Sequence, residues 1–188
     1  MTAITTTRNG IDVAQVYGTL DAIAADSSLA RFEFRVSNRW ISGTHSRSTI
    51  QGFHGAGQED ASRETPFVVD ASEPPVLLGH NEAPNPAELL MHALAGCLTL
   101  TIVNVAAARK VTLTEVTSRL EGELDARGAL GLDDSIRNGF HRLSVAFTVR
   151  GEASPEKLQE IVERAKARSV VYDIVSNGVP VDVTAEVG

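Results

Sequence analysis

A single cysteine, Cys97, is the residue of this sequence best suited to redox or nucleophilic chemistry, because a thiolate attacks electrophiles and oxidants. At helical spacing, Thr101 and Asn104 share the Cys97 face, and a polar amide on a buried face needs a hydrogen-bond partner. Cys97 also stands about twelve residues into its predicted helix, far from the positive N-terminal end that would lower its pKa. The pattern therefore leaves two roles open, a reactive thiol and a small packed core residue.

The other chemistry-bearing residue types form no recognisable metal or cofactor site. The five histidines, which have no metal-ligand spacing, are His45, His54, His80, His92 and His141. Asp133 and Asp134 lack the remaining positions of a calcium loop, and residues 52–57 lack the glycine order of a dinucleotide-binding loop. One cysteine excludes an intramolecular disulfide and a multi-cysteine metal cage. We therefore expect no metal and no cofactor.

The overall composition is that of a globular protein with an acidic surface. Of 188 residues, 43% are apolar, and 17 Lys+Arg against 24 Asp+Glu give a net charge of −7. An acidic surface repels nucleic-acid phosphates and anionic lipids, so we expect neither nucleic acid nor a membrane as a partner. Residues 1–10 lack the apolar core of a signal peptide. Together these features predict a cytoplasmic protein.

The longest apolar segment, residues 89–108, carries no formal charge and is about as long as a bilayer-spanning helix. Its spaced polar residues, and the lack of a second such segment, favour the central helix of a globular protein instead. The predicted helix starts with Asn85 as N-cap, Pro86 in the first turn and Glu88 completing a capping box. It runs to residues 109–110, which are basic. Because this helix lacks a polar face, we expect a homodimer to bury it.

The remaining pattern predicts an α+β fold with antiparallel sheets. Residues 116–124 and 143–149 alternate between apolar and polar side chains, as half-buried antiparallel strands do. A further helix begins at residues 154–156. Residues 169–177 are predicted as a turn, and residues 179–187 as a last strand.

The upstream half is predicted to hold one helix followed by extended segments. These elements are a helix that starts at residue 11 and ends in the polar cluster 26–28, extended runs at 31–36 and 40–53, a loop at 52–66 and a short strand at 67–69. We divide the chain into an N-terminal helical extension, residues 1–30, and one domain, residues 31–188.

The start of the long helix resembles a known family signature. Residues 85–90 (NPAELL) followed by 92–98 (HALAGCL) are similar to the N-P-x-E-L-L…A-x-A-G-C pattern of the OsmC/Ohr family. The resemblance implies an intertwined α+β dimer, with antiparallel sheets packed around a long buried central helix and active sites at the subunit interface. It also implies reduction of organic hydroperoxides or hydrogen peroxide by a cysteine that becomes a sulfenic acid.

Carried onto this sequence, the resemblance assigns Cys97 as the peroxidatic cysteine. Residues 168–172 (RSVVY) stand where the family carries a C-P-V-type motif, so Ser169 falls at the position of the resolving cysteine. A serine cannot close a disulfide. Two possibilities follow: turnover uses an external thiol reductant, or the peroxidase cycle has been lost.

The resemblance also implies an arginine that holds the thiolate charged and a carboxylate that orients this arginine. We expect the arginine to be Arg47, with His45 in the alternative register. The family's carboxylate position aligns nearest Val76, which cannot serve, so we expect Glu82 in its place.

Two other functions remain open at this point. In the first, the same dimer binds a small apolar ligand and Cys97 is merely packed. In the second, Cys97 is a redox sensor that is oxidised without turnover.

Overall fold

A computed structural model describes residues 7–188 of the chain. The strands of this part are β1 (Thr7–Arg8), β2 (Ile11–Asp12), β3 (Glu33–Phe34), β4 (Ser37–Ser42), β5 (His45–Ile50), β6 (Phe53–Gly55), β7 (Gln58–Asp60), β8 (Phe67–Ala71), β9 (Leu113–Glu123) and β10 (Arg142–Gly151). The α-helices are α1 (Val13–Ala25), α2 (Pro86–Ala108), α3 (Ala126–Ala129), α4 (Pro155–Lys166) and α5 (Val170–Asn177). The predicted α+β class, with antiparallel sheets and one long helix, is confirmed.

The chain divides into two compact units. Within the described residues, the first unit comprises Thr7 and residues 12–90, and the second comprises residues 8–11 and 91–188. The predicted division at residue 30 is a different one, and it stays a prediction about domain organisation.

The first unit is built from two small antiparallel sheets, with strand orders β4-β5-β8 and β3-β6-β7. In the first sheet, Arg47 of β5 lies directly opposite Asp70 of β8. The loop predicted at residues 52–66 is wrong in its first half, because β6 and β7 form a hairpin there. Ala56 and Gly57 between them both have positive φ, which is the geometry of a tight two-residue hairpin turn.

The second unit contains the apolar core of the described residues. Strands β9 and β10 pair antiparallel from Arg142 opposite Glu123 to Gly151 opposite Leu113, with one register shift between Arg150 and Gly151. Helices α2 and α4 pack on this sheet. The core side chains they bury are Ile102, Val105, Ala106, Val111, Ile161 and Ala165.

Helix α2 begins with the predicted capping box. The Asn85 side-chain oxygen accepts from the Glu88 amide at 2.8 Å, and the Glu88 carboxylate accepts from the Asn85 amide at 2.8 Å. By length and composition alone, this helix could cross a membrane. Its buried residues all lie in the second unit, and towards the C-terminal end they extend around most of the helix: Leu94, Leu98, Ile102, Val105, Ala106 and Ala107. One chain therefore buries only part of the helix surface.

Two predictions near the C-terminus are wrong. Residues 169–177 form helix α5 with its N-cap, because the Ser169 hydroxyl accepts from the Tyr172 amide and replaces a missing helical bond. Residues 179–187 have the alternating valines of a strand but belong to no strand in this structure. An alternating pattern marks a segment that can extend, whereas a strand also needs a hydrogen-bonded neighbour, and none pairs with it among residues 7–188.

Candidate functional site

Cys97 lies in the second unit, where helix α2 meets the N-terminus of helix α5. Its sulfur is 3.2 Å from the Ser169 hydroxyl oxygen, which donates to it. The cysteine is partly exposed, whereas Ser169 is only 2% exposed. Since Ser169 is also the N-cap of α5, the helix places the sulfur beside its first amides.

The environment of Cys97 lowers the pKa of its thiol. Burial is the largest single influence and acts in the opposite direction, because it disfavours the thiolate. Hydrogen bonds from the Ser169 hydroxyl and from the Val171 and Val170 amides outweigh it, with a smaller part from Thr101. Cys97 is remote from the N-terminus of its own helix, as predicted. The sequence did not reveal that the N-terminus of a second helix, α5, lies next to the sulfur. Recognising Ser169 as an N-cap was the signal that could have found it.

The polar residues on the Cys97 face have simple explanations. The Thr101 hydroxyl donates to the Cys97 carbonyl oxygen at 2.7 Å, a bond to the preceding helical turn. Asn104 is exposed, so its amide does not need the buried partner that the sequence led us to expect.

Arg47, the expected activating arginine, belongs to the first unit and is held by Asp70. Its Nε donates to Oδ1 at 2.7 Å and its Nη2 donates to Oδ2 at 2.8 Å, a bidentate ion pair. The bond from Arg47 is the main reason why the pKa of Asp70 is lowered to about 2. This pairing occupies two of the five guanidinium N–H groups, and the Arg47 side chain is 39% exposed.

His45, the alternative to Arg47, faces the same carboxylate. Its Nε2 is 3.2 Å from Asp70 Oδ2, without the alignment of a hydrogen bond. Residues two apart on a strand share a face, so both registers left open by the sequence lead to Asp70. Sequence reasoning missed Asp70; an acidic residue inside the apolar strand FVVDA was the available signal.

Glu82, the carboxylate expected to orient the arginine, makes a different contact. It accepts a short hydrogen bond from the hydroxyl of buried Ser72, which is the main cause of its lowered pKa. His80 lies 3.8 Å from it. The carboxylate in contact with Arg47 is thus Asp70. Throughout residues 7–188, no group of three or more His, Cys, Asp or Glu side chains could hold a metal ion.

The second unit also contains a groove of about 870 Å³ between the β9–β10 sheet and helices α2, α4 and α5. Phe147 and Leu158 contribute to its apolar wall, and Lys166 lies among its polar residues. Leu98 and Tyr172 also line it, and they neighbour Cys97 and the start of α5 in sequence. The groove has the size of a small-molecule site.

Comparisons with known proteins agree with the fold. Three solved structures align with this chain over most of their own length. An OsmC-like protein from Mycoplasma pneumoniae has a TM-score of 0.56 at 13% identity, with 77% of this chain and 88% of that chain covered. A protein from Psychrobacter arcticus 273-4, described as a putative osmotic stress induced and detoxification response protein, has a TM-score of 0.56 at 17% identity. The alignment covers 76% of this chain and 88% of that chain. An organic hydroperoxide resistance protein OsmC from Legionella pneumophila has a TM-score of 0.51 at 18% identity. The alignment covers 77% of this chain and 90% of that chain.

At these identities the three structures establish a shared fold. No curated protein sequence matches the chain significantly. The sequence profile described as OsmC-like protein matches residues 79–184, more than half of the chain, which includes Cys97 and Ser169. The resemblance seen in the helix signature is therefore confirmed, and the chain belongs to the family of OsmC-like proteins.

Proposed function

We propose that this protein reduces organic hydroperoxides or hydrogen peroxide through Cys97, with an external thiol as the reductant. The observation that carries the proposal is the position of the sulfur, partly exposed and hydrogen-bonded by the first groups of helix α5. Reactive cysteines need this combination of access and thiolate stabilisation. The description of the Legionella pneumophila relative as an organic hydroperoxide resistance protein supports the choice of substrate.

The oxidation step transfers oxygen from the peroxide to sulfur. The Cys97 thiolate attacks one peroxide oxygen, an S–O bond forms and the O–O bond breaks. The sulfur is oxidised by two electrons to a sulfenic acid, and the alkoxide or hydroxide leaves and takes a proton from water.

The reduction step needs two thiols from outside, since the sequence has one cysteine. A first external thiol condenses with the sulfenic acid and releases water, which leaves a mixed disulfide on Cys97. A second external thiol attacks this disulfide, releases a small disulfide and restores the Cys97 thiol.

In this proposal Arg47 polarises the peroxide and Asp70 orients Arg47. The family resemblance supplies the role of the arginine, and the bidentate contact supports Asp70 as its partner. Glu82, expected from the sequence, is the less suitable carboxylate because its contact is with Ser72. The two assignments are separable by mutation.

We also propose that the protein is a cytoplasmic homodimer. The partial burial of α2 by one chain supports the dimer, because Leu90 and Leu100 of this helix are exposed. Light scattering at micromolar concentration tests it directly: a mass near 40 kDa is expected from the 20.0 kDa chain, and a mass near 20 kDa would overturn it.

The decisive experiment treats the protein with one equivalent of cumene hydroperoxide and traps sulfenic acid with dimedone for mass spectrometry. The wild type is expected to show the adduct on Cys97, and Cys97→Ser is expected to stay unmodified. A wild-type thiol untouched by excess peroxide would contradict the proposal. Repeated turnover with added dithiothreitol separates a peroxidase from a sensor that is oxidised once.

The groove of the second unit favours one alternative function, the binding of a small apolar ligand with Cys97 merely packed. Saturable binding of an apolar fluorescent probe by Cys97→Ser, together with a peroxide-inert wild type, would support this alternative. A probe that does not bind would remove it.

A further inference from the structure

The Ser169 hydroxyl makes two hydrogen bonds next to Cys97, one as acceptor and one as donor. Its hydroxyl oxygen accepts the Tyr172 amide proton at 3.3 Å as the cap of α5. A hydroxyl has only one proton to donate, and the sulfur of Cys97, 3.2 Å away, receives it. Because Ser169 is 2% exposed, water does not compete freely for this proton.

The second hydroxyl near Cys97 is already engaged. Thr101 donates its single proton to the Cys97 carbonyl oxygen at 2.7 Å. The Ser169 hydroxyl is therefore the main side-chain donor to the sulfur, and Thr101 contributes the smaller part.

Donation by Ser169 favours the charged sulfur over the neutral one. A thiol is a weak acceptor, whereas a hydrogen bond to an ionised group is about twice as strong as a neutral one. The hydroxyl keeps its proton during oxidation, so its contribution is stabilisation of the thiolate and no proton is transferred.

We propose that Ser169 is a catalytic residue of this protein, a hydroxyl that stabilises the Cys97 thiolate from the position of a resolving cysteine. The inference rests on the proposed function for its peroxide chemistry. The contact between Ser169 and the reacting sulfur of Cys97 does not depend on which oxidant or electrophile attacks.

The experiment measures the thiol pKa of Cys97 from the pH dependence of alkylation by iodoacetamide. Ser169→Ala is expected to raise the midpoint of the alkylation profile by about one pH unit, so that the thiolate fraction falls about tenfold at a pH below the wild-type midpoint. Ser169→Thr keeps a hydroxyl and is expected to restore the wild-type value. Oxidation by cumene hydroperoxide, measured at a pH below the wild-type midpoint, is expected to slow about tenfold in Ser169→Ala.

Loss of the helix cap is controlled by a matched serine in the same unit. Ser154 caps α4 by accepting the Lys157 amide at 3.3 Å. Ser154→Ala removes a comparable cap, and its thiol pKa is expected to equal that of the wild type. If Ser169→Ala does not fold, Ser169→Gly removes the hydroxyl while retaining a residue that N-caps well.

The outcomes separate the two proposals. A hydroxyl-free variant that folds and alkylates with the wild-type pH profile would overturn the role of Ser169, as would an equal shift in Ser154→Ala. A wild type that alkylates with a lowered thiol pKa but does not react with peroxide would overturn the proposed function and leave Ser169 as the thiolate's partner.

Discussion

The cluster around Cys97 and the cluster around Arg47 stabilise charge by different physical means. Cys97 is held by helix amides and by a hydroxyl that is 2% exposed, all neutral donors. Arg47 is held by a full opposite charge on an open sheet, with its side chain 39% exposed. The thiolate therefore depends on the hydrogen bonds that the start of helix α5 supplies, whereas the guanidinium depends on one carboxylate.

The surroundings of the two clusters differ in the same way. The buried apolar core side chains of the described residues lie in the second unit, around α2 and α4. In the first unit several large apolar side chains of the sheets are exposed, among them Phe34, Trp40 and Phe67. A nucleophile needs a fixed position, and the packed unit supplies it for Cys97.

The largest expected effect tests the packing of the second unit. Ile161 is 0% exposed in its core, so Ile161→Ala is expected to lower the free energy of unfolding by about 3 kcal/mol. Urea denaturation followed by circular dichroism measures it. Leu132→Ala, at a side chain 72% exposed in the same unit, is the control and should change stability by less than about 1 kcal/mol. Equal losses would contradict the assignment of the core.

The next effect tests the charged cluster. Arg47→Ala is expected to slow Cys97 oxidation by cumene hydroperoxide about 100-fold, the usual cost of removing a donor that stabilises developing charge. Stopped-flow kinetics of the stoichiometric reaction measures the rate, and alkylation reports any rise in the thiol pKa. Unchanged kinetics would contradict the role of Arg47 and favour His45, or Arg39, which lies opposite Arg47 on strand β4.

A smaller effect distinguishes the two carboxylates of the first unit. Asp70→Asn is expected to slow oxidation about tenfold, because Arg47 loses its bidentate anchor while its charge remains. Glu82→Gln is the matched control and is expected to stay within about twofold of the wild type. In the Arg47→Ala background, Asp70→Asn is expected to have no further effect. A larger loss of oxidation rate in Glu82→Gln than in Asp70→Asn would instead assign Glu82 as the carboxylate that orients Arg47.

The smallest expected effect concerns pH. The pKa of Asp70, lowered to about 2, means that its ion pair is complete above the ordinary value of 3.8 and is lost only as pH falls towards 2. Between pH 5 and 9 the oxidation rate is therefore expected to rise with the Cys97 thiolate alone. Asp70→Asn should leave the midpoint of this profile in place. A midpoint that shifts in Asp70→Asn would contradict this prediction and show that the charge on Asp70 affects the pKa of the Cys97 thiol.

Local signals predicted much of the fold. The Asn85–Glu88 capping box, the alternating strands β9 and β10 and the start of α4 all depend on neighbours close in sequence, and each is confirmed. The β6–β7 hairpin and helix α5 were missed. A glycine-rich charged stretch resembles a loop when its turn is not recognised. The β-branched residues of α5 lower helix propensity, and the helix is only eight residues long, so its pattern gave a weak helix signal.

The sequence by itself determined that one cysteine is present and that it lies on a long apolar helix. Only the tertiary structure decided which groups meet the charges. Ser169 is 72 residues from Cys97 and Asp70 is 23 residues from Arg47. Contacts over such separations depend on how helices pack and how strands register, and spacing along a chain does not specify either.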